Sequence, residues 1–233
     1  MKQKIFTKSL LNLVLAVSMT SFGMSAMAQE DGRKGHAIGA NVSFYGLGAF
    51  HTYRFNENWH LRSTINGGSI DDLELEISKT DYEGDADSAA AGIMLDWYPA
   101  DKGWQRKIFI SSGIFYADTE YDACAERKPG KVINIGDARI NSMDIESLNL
   151  KVENQQVVPY IGVGWGDKPR GDEGFAFVGE LGLRYLSDPD VKLIANDPGN
   201  LLSTENLRRE EKDIADDLGG LNAFASVGVS YHF

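Results

Sequence analysis

Four ionisable residues stand inside apolar stretches, where a charge is costly unless it meets an opposite one. Arg62 lies between Leu61 and Ser63, Asp96 lies between Leu95 and Trp97, and Glu180 and Arg184 bracket Leu181-Gly182-Leu183. Two cations and two anions brought together can do one of two things. They can neutralise one another as an ion-pair cluster that fills an interior, or they can line a narrow constriction that selects small solutes by sign. Tyr160 and Ser111 are the hydroxyl groups expected beside them. Nucleophilic chemistry would instead need a histidine in reach of a serine and an acid. The four histidines are His36, His51, His60 and His232. None sits in a compact His/Ser motif, so the chain is not read as an enzyme. No His/Cys/Asp cluster has metal-ligand spacing, and the acidic run Asp213, Asp216, Asp217 lacks an EF-type loop. No metal and no cofactor is expected.

The elements that must position these charges are strands. The last eleven residues run Ala223, Ala225, Val227, Val229, Tyr231 and Phe233 against Ser226, Gly228, Ser230 and His232, with Phe224 alone out of step. A period of two gives one oily face and one wet face. An ordinary last strand of a soluble sheet would show the same alternation. The set Ser226, Gly228, Tyr231 and Phe233 looks like the terminal signal by which bacterial outer-membrane barrels are recognised by their assembly machinery.

The start of the chain favours the barrel. Lys2, Lys4 and Lys8 precede an apolar run from Leu10 to Val17, and Ala26-Met27-Ala28 is a small-x-small cleavage site. Residues 1–28 are read as a secretory signal peptide and 29–233 as one outer-membrane barrel domain. No second apolar stretch approaches the 20 or so residues of a helical span. The mean hydropathy of −0.28 is polar for a membrane protein, but in a barrel only every second strand residue meets lipid. The formal charge of −11 argues against nucleic acid, which wants basic patches. The single cysteine, Cys124, excludes an internal disulfide.

In chain order, alternation at 38–44 and 49–55 suggests two strands joined at Tyr45-Gly46-Leu47-Gly48, although 38–55 could be one long strand. A barrel whose termini share one side needs an even number, which favours two. Strands are expected at 59–77, 88–98, 107–121, 157–166, 175–185 with a continuation towards Ile194, and 223–233. Short polar turns are expected at 56–58, 99–106 and 167–173, and longer loops at 79–87, 123–155 and 196–220. Pro159 cannot donate to a ladder and is expected near a strand end. Ser203 is a candidate N-cap of a helix to Leu218, with Leu207, Ile214 and Leu218 on one face and Gly219-Gly220 ending it. Tyr45, Tyr53, Trp59, Trp97, Trp165, Tyr185, Tyr231 and Phe233 fall towards strand ends, as interfacial girdles do. The fold expected is an all-β, eight-stranded antiparallel transmembrane barrel with long extracellular loops and short periplasmic turns.

Alternation then forces the faces. If Leu181 and Leu183 meet lipid, Glu180 and Arg184 point inward, and so do Asp96, Arg62, His60 and His232. An eight-stranded barrel is just wide enough for side chains to fill it. The inner glycines of 160–166, with Gly182 and Gly228, leave room for a path.

Three stretches carry a resemblance to a known family: Tyr53-Arg54-Phe55-Asn56 with Leu61-Arg62; Leu95-Asp96-Trp97-Tyr98-Pro99; and Pro159 to Gly166 with Gly182-Leu183 and Val191-Lys192-Leu193. With the final strand, they resemble small proteobacterial outer-membrane barrels related to the ornithine-uptake, carbapenem-associated porin. Where that family often shows Gly-x-Pro-Lys-Val, this chain has Ser187-Asp188-Pro189-Asp190-Val191, and the loops do not match. The resemblance implies the fold, the outer-membrane address and a candidate cargo of small basic amino acids. The expected role is a narrow porin-like channel for passive uptake of small polar or basic solutes. The alternative is a closed structural or surface-interaction barrel whose loops bind a partner. Outer-membrane lipids and lipopolysaccharide are the expected surroundings.

Overall fold

The computed structural model describes residues 35–77, 80–127, 129–130, 132–168 and 173–233, so the expected signal peptide lies outside them. The strands are β1 (His36–Ser43), β2 (Gly46–Arg54), β3 (Trp59–Ile77), β4 (Thr80–Trp97), β5 (Ile108–Ala125), β6 (Val132–Ile135), β7 (Ala138–Asn141), β8 (Ser147–Gly166), β9 (Gly174–Leu186), β10 (Asp190–Asn196) and β11 (Gly220–His232). Among the described residues one α-helix, α1 (Thr204–Leu218), precedes β11. Neighbours run in the order β8-β5-β4-β3-β2-β1-β11-β9, and β9 pairs back onto β8. The result is an eight-stranded antiparallel barrel, closed by the ladder from Tyr160↔Arg184 to Gly166↔Val178. The stretch 38–55 does divide into two strands. Gly46 makes the reversal possible, with φ of 95° and no room for a Cβ, which would stand 2.5 Å from the Gly67 carbonyl oxygen.

Outward-pointing side chains form an apolar band. Phe175, Phe177, Leu181, Ile161, Val163 and Val227 are all more than half exposed. Trp59 stacks on Trp97 at the lower rim, 6.0 Å between ring centroids, and Tyr231 packs edge-on against Phe175. Tyr45 departs from the expected girdle. It is 1 % exposed and lies inside the barrel.

Two of the expected loops are not loops. The 79–87 stretch belongs almost wholly to β4, which starts at Thr80 and pairs with β3 through Ile77↔Thr80. In 123–155, β5 runs on to Ala125, the β6–β7 hairpin follows, and β8 begins at Ser147. These strands therefore rise well past the β1–β2 turn, since β2 meets β3 only as far as Gly67. The rising part has its own core of Tyr82, Tyr121, Ile133, Ile135, Ile140, Leu148, Leu150, Leu193 and Ile214, drawn from β4, β5, β6, β7, β8, β10 and α1. The helix forms as its pattern foretold: the Asn206 amide donates to Ser203 Oγ at 3.2 Å, and Leu207, Ile214 and Leu218 face the core. Glu210 accepts the Gly136 amide at 2.8 Å and Glu211 accepts the Leu193 amide at 2.9 Å, so the helix is bolted to the hairpin and to β10.

Pro159 is not at the end of β8. It lies within it, one residue beyond the last β8–β9 pair, Tyr160↔Arg184. β10 joins the same side of β8 only from Glu153 upward, so the proline falls where that edge of the ladder is interrupted. Gln156 bridges the gap by side chain, accepting the Ser187 amide at 2.7 Å and donating to the Ser187 carbonyl at 3.3 Å.

Candidate functional site: the ion-paired bore

Five strands each send one polar side chain to a common point in the bore: Arg62 from β3, Asp96 from β4, Ser111 from β5, Tyr160 from β8 and Glu180 from β9. Arg62 is the hub. Its Nε and Nη2 donate to the two oxygens of Asp96 at 2.9 and 3.0 Å. Nη1 and Nη2 donate to the two oxygens of Glu180 at 2.7 and 2.9 Å, and Nη2 also reaches Ser111 Oγ at 3.2 Å. The planar fork of a guanidinium suits two carboxylates at once in a way an ammonium could not. The Tyr160 hydroxyl donates to Glu180 Oε1 at 2.7 Å. Arg62, Asp96 and Glu180 are 7 %, 3 % and 4 % exposed. One guanidinium thus serves two carboxyl groups.

Arg184, expected in the same cluster, is not part of it. It stands four residues along β9 from Glu180, about 13 Å at the usual strand rise. Its guanidinium lies 3.7 Å from the Phe44 ring centroid and 4.9 Å from that of Tyr45. These are the two residues of the β1–β2 turn, so Arg184 and the turn together cap the upper mouth by cation–π contact.

Between cap and cluster the bore is filled with rings. Tyr45, Phe115, Phe224 and Tyr160 pack with Met94, Ala90, Ala117 and Val158 into one buried group. The inner glycines, expected to leave a path open, are seats for these rings. A Cβ on Gly162 would stand 2.0 Å from the Tyr160 hydroxyl; one on Gly92 would stand 2.6 Å from the Phe115 ring, and one on Gly164 2.1 Å from the Phe109 ring. Gly39 lies as close to Phe50. A bare backbone is what allows a ring to lie flat against the barrel wall.

Below the cluster, Phe109 packs at a tilt against Tyr98 (5.3 Å) and Tyr98 against His60 (4.6 Å). Lys168, 7 % exposed, enters from the lower rim, lies 5.4 Å over the Tyr98 ring and pairs with Asp101 at 3.0 Å. His232 Nε2 and Ser230 Oγ are 3.0 Å apart, but the cavity beside them is only about 20 Å³, room for about one water. A second cavity of about 10 Å³ lies above the cluster, lined by Asn41, Arg62, Thr64, Asn66, Glu180 and Ser226. Asn41 Oδ1 and Asn66 Nδ2 have no protein partner.

The residues of the final-strand pattern hold the seam between β1 and β11. Ser226 Oγ accepts from Asn41 at 3.1 Å, and Gly228 admits the Ala40 carbonyl where a Cβ would stand 2.4 Å from it. Tyr231 and Phe233 join the lower aromatic rim, Phe233 stacking on His36 at 6.0 Å. Sequence reasoning missed Phe44, Lys168 and the ring fillers. Phe109, Phe115 and Phe224 were within its reach, because alternation already placed them inward.

The rising strands present the opposite kind of surface. Their outward positions carry Glu83, Asp85, Asp87, Glu120, Asp122 and Glu153, several directly opposite one another, as in Asp85↔Asp122 and Asp87↔Glu120. Lys151 stands among them and pairs with Glu120 at 2.7 Å and Glu153 at 2.6 Å. Those two hydrogen bonds, Glu120's first, hold its ammonium above the ordinary lysine range.

No family model matches the sequence, and no curated protein matches it. Solved structures do. The chain is similar to CarO of Acinetobacter baumannii, at 23 % identity and a TM-score of 0.63, over 84 % of this chain and 97 % of that one. It is similar to CarO2 of the same organism at 24 % identity and a TM-score of 0.68, over 86 % and 99 %. At this identity the likeness is one of fold: a closed eight-stranded barrel of the outer-membrane kind.

Proposed function

We propose that this CarO-like chain is an outer-membrane barrel closed at rest, whose working surface is the folded extension above the membrane. The observation that carries this reading is the filled bore: rings seated on glycines above and below the Arg62–Asp96–Glu180 cluster, where the cavities beside the cluster among the described residues measure about 10 and 20 Å³. In this reading lipid surrounds the apolar band and lipopolysaccharide borders its upper edge. Ser226, Gly228, Tyr231 and Phe233 serve assembly, and the extension meets the partner. The test is conductance. Purified protein in a planar bilayer gives no sustained current, with or without a small basic amino acid present. A steady current from the unmodified chain overturns the closed reading.

A second reading has one observation in its favour. The two cavities both border Arg62 and are lined by apolar side chains together with polar ones, so movement of the ring layer would join them into a narrow path for small polar or basic solutes. In that reading Glu180→Lys reverses the local charge and shifts cation/anion selectivity of whatever current is seen. Unaltered selectivity, or no current, leaves the closed barrel.

A further inference from the structure

Two of the four histidines lie on the outer wall, away from the bore. His36 opens β1 in the outward row with Ile38, Ala40 and Val42. His51 lies in the outward row of β2 with Leu47, Ala49 and Tyr53. The register pairs Ile38 with His51 and His36 with Tyr53, which makes the histidines diagonal cross-strand neighbours. Their nitrogens converge: His36 Nδ1 is 3.1 Å from His51 Nε2, with ring planes 24° apart. The His36 ring is held from two further sides, by Tyr53 at 5.0 Å and Phe233 at 6.0 Å. Both imidazoles are partly exposed, within the aromatic rim of the lower end, where water is at hand.

We propose that His36 and His51 form a two-imidazole chelate for a divalent transition metal ion on the lower rim of the barrel. Zinc-type metal–nitrogen bonds are about 2.0–2.1 Å long, so two nitrogens bound side by side to one ion stand about 2.9–3.4 Å apart. The observed 3.1 Å falls within that bite. Imidazole suits copper, nickel and zinc, and affinity rises from nickel to copper. Water completes the coordination, since no third His, Cys, Asp or Glu joins the pair among the described residues. The ion would tie β1 to β2 beside the β1–β11 seam, and by binding only the folded barrel it would stabilise it. The same two atoms would also suit an N–H···N hydrogen bond between neutral rings, and only binding separates the two arrangements.

The other metal-binding side chains can be kept out of the experiment. His60 and His232 are 0 % and 6 % exposed inside the bore. Cys124 is an exposed free thiol, so the test uses the full-length chain in a Cys124→Ser background, purified without a histidine tag. Cu2+ is titrated into the detergent-solubilised barrel and its ligands are read by electron paramagnetic resonance, with Ni2+ as a second probe. The expected result is a single Cu2+ with two nitrogen ligands. His51→Ala and His36→Ala should each weaken binding at least about tenfold, as one of two ligands is lost, while the circular dichroism of the barrel stays the same. A signal that persists unchanged in His36→Ala/His51→Ala overturns the proposal. So does absence of binding in the parent protein; the contact is then only a hydrogen bond. A pair of outward-facing substitutions leaves the bore intact, so the outcome is separate from the conductance test of the closed barrel.

Discussion

The lower and upper halves of the same four strands have opposite polarity. On β5 the outward residues are Ile110, Ile114 and Tyr116 below, then Asp118, Glu120 and Asp122 above; on β8 they are Trp165, Val163, Ile161 and Val157 below, then Gln155, Glu153 and Lys151. Inward, the lower half carries Arg62, Asp96 and Ser111 beside its rings, while the upper half carries Leu148, Leu150, Tyr121 and Ala123. The strands do not change register at this boundary between β4, β5 and β8; only the solvent does. Lipid below asks for an apolar exterior and tolerates charge only where it is paired within. Water above asks for the reverse. The inversion therefore marks the level at which the hydrocarbon ends, between Tyr116 and Asp118 on β5.

If the two halves rest on different physics, damage to one should leave the other standing. The largest expected effect is in the bore. Arg62→Ala removes the only cation from the cluster and leaves Asp96 and Glu180 buried together. Removing one partner of a buried ion pair costs about 3–5 kcal/mol, and the loss should appear as a lower urea midpoint of the whole barrel in lipid micelles. Retention of the parent midpoint would mean that water already reaches the carboxylates. Next comes Ile214→Ala in α1. Ile214 is fully buried, and truncation of such a residue costs about 2–5 kcal/mol. Here the expected change is confined: amides of β6, β7 and α1 exchange faster with deuterium, while those of β1, β2 and β11 do not. Equal acceleration throughout would make the two halves one cooperative unit.

The polarity inversion also explains what the sequence revealed and what it hid. The barrel, its strand count and the inward positions of Arg62, Asp96 and Glu180 follow from a single rule, apolar out and polar in. Applied above the lipid, the same rule turns Leu148-Asn149-Leu150-Lys151-Val152-Glu153 into noise, and the stretch reads as a charged loop. The alternation was intact but reversed. For Arg184 the pattern gives the correct face and the wrong height, because alternation fixes the side of a strand and carries no information on which inward residues share a level. The histidine chelate was invisible for a related reason. Fifteen residues separate His36 from His51, and only the β1–β2 register makes them neighbours.

The inner glycines give a smaller effect on the lower half. On sequence they leave room for a path, and the structure fills that room with aromatic rings. Gly162→Ala would drive a methyl group to 2.0 Å from the Tyr160 hydroxyl. Tyr160 cannot yield without breaking its 2.7 Å bond to Glu180. Overpacking of this kind costs about 1–3 kcal/mol, so the urea midpoint should fall by less than for Arg62→Ala. Gly174→Ala is the control, since nothing lies within 4 Å of a Cβ there, and it should leave the midpoint in place.

The smallest effect tests the upper half at its edge. Ser203 caps α1 through one hydrogen bond to the Asn206 amide, and the helix is anchored by Glu210 and Glu211 rather than by strand pairing. Ser203→Ala removes the cap at a cost of about 1 kcal/mol. Were the helix a loose flap, that loss would fray only its first turn, and exchange would quicken at residues 204–207 alone. Bolted as it is to the hairpin and to β10, the helix should pass the loss on: the amides of Gly136 and Leu193, which donate to its glutamates, should exchange faster by a similar factor. The barrel strands should show no change. Faster exchange that stops at the first turn would show that Glu210 and Glu211 do not couple the helix to its neighbours, and that the upper core holds without it.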